Sequence, residues 1–270
     1  MTSMIVAGVD GLRGGRDAVA LGAALAAADD AELLLTGVWQ ETLLPLPLLM
    51  SSGEPPLERT ERMLLRTRAA QAPRAITRPL SGLSPARALC RVAASEHAGT
   101  IAIGSTAAAP AGHVRAGRDA QHVIHDAPCN AALAARGLHE RPFAIGSIVV
   151  GVDGGAESEA ALGVAARLAQ GLGVALTAIA VHDPRPHARD GAEGIAEQAR
   201  EHAGVTAAEV RHGDPATELA RAAQEADLLV LGSRHGGHAA RVTLGRVGHR
   251  LTTDAPCSLL LVPCAGPTLH

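Results

Sequence analysis

Short apolar runs alternate with alanine-rich, one-sided polar stretches from one end of the chain to the other. In the first half, the runs at 4–9, 32–39, 75–79, 100–103 and 131–135 read as strands, each brief, apolar and bounded by turn residues. Helical spacing fills the gaps, in a stretch ending at Ala28, at 57–70, from Pro85 onward, and at 114–125. Pro85 suits a first helical turn, where its φ is already set and no N–H is needed. In the second half, strands are expected at 148–152, 174–181, 205–210, 228–231 and 258–262, and helices at 157–170, 191–202, 215–225 and 241–252. Strands alternating with helices, five per half, predict an α/β protein: two tandem doubly wound domains, each a five-stranded parallel sheet flanked by helices.

The halves repeat one another. Asp10 closes MIVAGVDG and Asp153 closes SIVVGVDG, while DAPC at 126–129 returns at 254–257. A repeat of this length is a duplicated domain, and the boundaries read as 1–137 and 146–265 with a linker at 137–146. Asp10 and Asp153 lie 143 apart but Gly104 and Gly232 only 128, so the first copy is 15 residues longer in between. The excess falls at 40–56, which holds the apolar LLPLPLLM; it reads as a loop folded back over a helix, with a lid or partner patch as the alternative.

Composition sharpens this picture by subtraction. Hydrophobic residues make up 47% and aromatic ones 1%, so the core must be built from Ala, Val, Leu and Ile, as suits small helices packed close on a buried sheet. No Lys occurs, which removes a Walker-type phosphate loop, a kinase strand lysine and Schiff-base chemistry. Net charge is −3, divided as about +1 before Phe143 and −4 after it, with no block of like charge. Neither a nucleic-acid nor a membrane surface is therefore expected, and base-stacking aromatics are lacking. The four cysteines form no Cys-x-x-Cys pair and read as reduced thiols. The chain opens directly on a strand-like run and has no uncharged apolar span of membrane length, so a cytoplasmic location is expected.

In an open parallel sheet, ligands lie beyond the carboxyl ends of the strands, where strand order reverses. Asp10 and Asp153 close the first strand of each half, and Gly104-Ser105 and Gly232-Ser233 close the fourth. These pairs would face one crevice, and the segments after each Gly-Ser lead to helix starts that favour anions.

These residues together resemble the universal stress protein family in its tandem two-domain form, over essentially the whole chain. The resemblance implies a Rossmann-like fold of the adenine nucleotide alpha hydrolase-like kind, and many members bind ATP through the loop after the fourth strand. That loop runs Gly, two residues, Gly, nine residues, Gly, then Ser or Thr. In GSRHGGHAARVTLGRV, Gly232 and Gly245 keep the spacing, but His235 stands at the second Gly and Arg246 at the hydroxyl residue. In GSTAAAPAGHVRAGRD, Gly104 and Gly117 keep it, with Ala107 and Arg118 at the same two departures. His235 tolerates a left-handed backbone better than Ala107 does, and Gly236 is expected to relieve the second loop further.

By this resemblance Asp10 and Asp153 lie near the base or ribose, and Val38 and Val181 line the adenine pocket. The phosphate side would draw on Gly104, Ser105, Gly117 and Arg118 in the first copy, and on Gly232, Ser233, Gly236, Gly245, Arg246 and Val247 in the second. Arg118 and Arg246 either clamp a phosphate as planar cationic forks or fill its place with their bulk. The second copy is the better candidate for ATP. As the bland alternatives, Asp10 and Asp153 are satisfied strand-end carboxylates and the valines are core.

Other chemistry is thinner. His235 and His238, with His212 and His249 nearby, lack the Cys or acid partners of a metal site, and no nucleophile elbow or triad pattern appears, so no catalytic role is expected. The last strands, 131–135 and 258–262, would be exposed apolar edges unless paired. The resemblance implies that such edges join across a two-fold axis, giving an intramolecular pseudo-dimer, with a homodimer of whole chains as a further expectation. Two functions compete: a stress-response protein that holds an adenine nucleotide, and an interaction scaffold of the same fold with collapsed loops. An adenylating enzyme on a similar sheet is a third reading, but it would need a Ser-Gly-Gly pyrophosphate loop that is not here.

Overall fold

The computed structural model describes residues 3–39, 55–183, 191–236 and 241–263. The first half runs β1 (Met4–Gly8), α1 (Arg13–Asp29), β2 (Glu32–Trp39), α2 (Pro56–Gln71), β3 (Ile76–Ser81), α3 (Pro85–Ser95), β4 (Thr100–Gly104), α4 (Arg118–Asp126) and β5 (Asn130–Ala134). A single 3-10 turn, Leu138–Glu140, lies in the linker. The second half runs β6 (Ser147–Val152), α5 (Ala156–Leu172), β7 (Ala175–His182), α6 (Ala192–Arg200), β8 (Ala207–His212), α7 (Pro215–Ala223), β9 (Leu228–Gly236), β10 (Arg241–Thr243), α8 (Arg246–Asp254) and β11 (Ser258–Pro263).

The strands form one sheet in the order β3-β2-β1-β4-β5-β11-β9-β6-β7-β8, with β10 hairpinned onto β9. Apart from the antiparallel β10, the pairing within each half is parallel, and the order reverses between β1 and β4 and between β6 and β9. The halves meet where β11 runs antiparallel to β5, Leu259 opposite Leu133 and Leu261 opposite Ala131. Neither last strand is left as an edge. The outer strands β3 and β8 are the half-exposed, polar ones.

Alternate residues of the central strands feed two apolar layers. One packs α1, α2, α5 and α6, and the other α3, α4, α7 and α8. In β11, Leu260 points to the first layer and Leu259 and Leu261 to the second; each fully buried leucine contributes roughly 1.5–3 kcal/mol. Alanine and glycine set the spacing: a Cβ on Gly22 would meet Leu33, Ala7 and Ala102 within 3.5 Å, so α1 lies almost on the sheet. Where α1 and α5 touch, Gly171 packs against the Ala28 carbonyl.

Three expectations need correction. Residues 241–243, expected to open a helix, are strand β10, because their β-branched pair finds hydrogen-bonding partners on β9 and α8 begins only at Arg246. Residues 114–117 belong to a loop rather than to α4. The fourth strand of the second half runs through Gly236, so Gly232-Ser233 lie within it and not at its end. The apolar insertion at 40–54 lies outside the described residues. No helix among the described residues is long and apolar enough to cross a membrane.

Candidate functional site

Each half carries a cleft at its strand-order reversal, and the two differ in size and charge. The second holds about 390 Å³ and the first about 190 Å³. Only the larger falls in the range usual for small-molecule sites, roughly 300–1,000 Å³. Asp153, Val181, Gly232, Gly245, Arg246 and Val247 all line the second cleft. The first cleft is lined by Asp10, Val38, Gly104 and Ser105, but not by Gly117 or Arg118; its helix-start residue is Asp119.

The paired aspartates do local work. Asp10 Oδ1 accepts the Leu12 N–H at 2.8 Å and Asp153 Oδ1 accepts the Gly155 N–H at 2.9 Å, each closing the turn between strand and helix. Ser158, unforeseen from sequence, accepts the Asp153 N–H and donates to the Gly155 carbonyl, so it fixes the rim from inside. Its signal was its place five residues beyond the strand-end Asp, too common a pattern to single out. Ile179 and Leu231 add the apolar wall that Val181 begins.

The glycines of the fourth strand answer first to packing. A Cβ on Gly104 would strike Gly14, and one on Gly232 would strike the Glu157 carbonyl in the first turn of α5. Gly245 is different: among the described residues nothing lies near its missing Cβ, and its backbone (φ −63°, ψ 172°) is open to any residue. It precedes α8 without a side-chain cap, and α8 has no acid in its first turn. The uncapped N–H groups and the helix dipole therefore favour negative charge there. Arg246, exposed on the cleft wall, forms no hydrogen bond or ion pair with the described residues. This end combines helix-start donors with a guanidinium that has no partner among the described residues, a pairing that suits an anion.

The first cleft does not offer the same. The Thr106 methyl sits over Gly117, 2.7 Å from where a Cβ would stand, and α4 puts Asp119 in its first turn. Several backbone donors of the loop at 105–117 are engaged within the first half: Thr106 N–H on Arg115, Ala109 on Thr106, His113 on Pro110 and Gly112 on Arg136. Thr106 Oγ1 and Arg115 Nε are buried there without a partner among the described residues.

Several expected site residues are placed elsewhere. Ser233 is buried, its hydroxyl donating to the Val262 carbonyl, and so packs the sheet rather than facing the cleft. Gly236 pairs with Arg241 as extended strand. His235 likewise sits opposite Val242, so the position where the loop pattern has its second Gly needs no left-handed backbone. Ala107 is not left-handed either, the positive-φ non-glycine residues being Asp30 and His97 among those described. Burial holds the thiols of Cys129 and Cys257 up at about 12, so they stay protonated and act as small apolar groups. Among the described residues no three His, Cys, Asp or Glu side chains converge as metal ligands would.

The model of the universal stress protein family matches residues 1–134 and 145–263, and the chain belongs to that family. A universal stress protein from Archaeoglobus fulgidus DSM 4304 is similar over 97% of this chain and 98% of its own, at 17% identity and a TM-score of 0.73. A putative universal stress protein from Pseudomonas aeruginosa UCBPP-PA14 is similar over 97% and 93%, at 16% identity and a TM-score of 0.68. Likeness at such identity speaks to the fold. No curated protein matches the chain.

Proposed function

We propose that this protein is a stress-response regulator whose second half holds an adenine nucleotide, with ATP the first to test, while its first half is a non-binding scaffold. The observation that carries the reading is the uncapped start of α8, with open space over Gly245 and Arg246 on the cleft wall, opposite Asp153 and the Val181–Ile179 wall. An adenine ring suits the apolar wall, and a triphosphate suits a helix start that also offers a guanidinium. Glu157 and Asp183 also border the cleft, so a divalent ion accompanying the phosphates would ease their charge. On this reading the protein holds the nucleotide rather than turning it over: among the described residues no general base is set near the α8 start, and Asp153 is engaged in its turn.

Scaffolding in the first half is favoured by its small cleft, by Thr106 over Gly117 and by Asp119 in the helix start, which repels phosphate. The test is calorimetric titration of the whole chain with ATP, with and without magnesium. One site per chain is expected. Arg246→Ala should weaken binding by about tenfold or more, the worth of one charge-assisted hydrogen bond, whereas Arg118→Ala should leave it unchanged. Absence of heat at millimolar ATP would leave both halves as scaffold.

A further inference from the structure

Beyond Ser105, the first-half loop at 105–117 does not line its own cleft. It crosses to the other half and grips the end of α8. The Val114 N–H donates to the Ala255 carbonyl at 2.9 Å and the Ala116 N–H to the Thr252 carbonyl at 2.9 Å. Beside them His113 Nδ1 meets Asp254 Oδ1 at 3.0 Å. Three successive contacts thus fall on the last turn of one short helix, two of them on carbonyls that a helix C-terminus leaves unpaired.

The grip is fastened on the first-half side. Gly112 N–H donates to the Arg136 carbonyl and Arg136 N–H to the His113 carbonyl, just past β5. The Arg136 side chain holds the Ala109 carbonyl, and Ser105 bridges the Arg115 N–H to the Ala134 carbonyl. Val114 itself is fully buried. The loop keeps this course although Thr106 Oγ1 and Arg115 Nε lie buried along it without a partner among the described residues, so its shape is set by the contacts at its ends.

A helix of this length behaves as a rod, so what fixes its last turn fixes its first. The first turn of α8 is the phosphate end of the second cleft. In return, β10, which the second-half loop forms, lies against α4. We infer that the first-half loop is a brace that positions α8, with His113 and Asp254 as positioning residues. By it, the non-binding half sets the affinity of the binding half. The affinity part rests on the nucleotide reading above; the brace itself does not.

Hydrogen exchange and ATP titration on the full chain test the two parts separately. In the ligand-free protein, His113→Ala should speed exchange at backbone amides 246–255 while leaving α7 unchanged. Ala116→Pro, which deletes one donor, should do so more strongly. His113→Asn, able to keep a hydrogen bond to Asp254, should restore slow exchange. ATP affinity should fall about two- to fivefold in His113→Ala, as expected of a half-exposed pair, and return in His113→Asn. Unchanged exchange in α8 for both His113→Ala and Ala116→Pro would overturn the brace. Faster exchange with wild-type affinity would overturn its control of the site. A wild-type chain that binds no ATP would refute the nucleotide reading, and the exchange result would then decide the brace alone.

Discussion

A methyl group on Gly232 would collide with the Glu157 carbonyl, and one on Gly245 would collide with none of the described residues. Two glycines of one loop pattern therefore report on different things: the first on helix–sheet packing, the second on space left over a helix start. A loss of binding in a Gly232 variant would be ambiguous, because overpacking alone costs about 1–3 kcal/mol. Gly245 gives the clean contrast. Gly245→Ser has a backbone that accepts it and offers α8 the side-chain cap it lacks, so the fold should gain a few tenths of a kcal/mol. The same hydroxyl would take the N–H groups and the space that a phosphate needs. Thermal melting should thus hold or rise slightly while ATP affinity falls, and a parallel fall of both would refute the assignment. Residues of this kind were half legible in the sequence. Asp153 is read from its place at a strand end, Val181 and Arg246 from the family resemblance, and the cleft does collect them. Arg118 does not line the first cleft, because spacing says where a residue stands on a helix start but not which neighbour turns inward; there it is Asp119.

Helix α1 carries a feature that no local pattern announces. Asp17 is fully buried, and its carboxylate accepts the Gly137 N–H at 3.0 Å and the His139 N–H at 2.9 Å, with His139 Nδ1 at 2.6 Å. It clamps the linker's 3-10 turn onto α1, and Arg13 reaches Glu140 beside it. The equivalent residue of the second copy is Ala160, so the clamp belongs to the joint between halves and not to the repeat. In sequence, Asp17 is one acid in an alanine-rich helix, and its partners lie about 120 residues away; burial on that face becomes visible only when the linker folds over it. The same limit misplaced β10, where three residues fit a helical rhythm until β9 supplied a hydrogen-bonding edge. Strands in the apolar centre were legible because burial on both faces leaves an unbroken apolar run. Asp17→Ala would leave two half-buried N–H groups unpaired and should lower unfolding free energy by about 2–4 kcal/mol. Chemical denaturation measures it; a loss under 1 kcal/mol would mean that the linker finds other partners or water.

Over the whole molecule, the duplication has become one body. A single sheet crosses the joint through β5 and β11, and the two apolar layers run on either side of it without a break. The helices meet there as well: α1 and α5 are in contact, Arg167 pairs with Asp29 at 3.0 Å, and Gly171 sits on the Ala28 carbonyl. Sequence repetition foretold two domains and their meeting edge, but not that core and helices would be shared, since contacts between copies leave no periodic trace. Sharing has a thermodynamic consequence. If the halves were independent, a defect in one would split the melting curve in two. With β5 and β11 each completing the other's sheet, unfolding either half exposes an apolar strand edge of its neighbour, so the coupling is large beside the stability of either half. Gly171→Ala places the defect at the joint itself, where the added methyl must push α1 and α5 apart at a cost of about 1–3 kcal/mol. Calorimetry should show one transition in both wild type and variant, shifted down in the variant, with calorimetric and van't Hoff enthalpies in agreement. Two resolved transitions in the wild type would mean that the shared sheet does not couple the halves, and the brace from the first loop to α8 would then have to act across a joint that opens on its own.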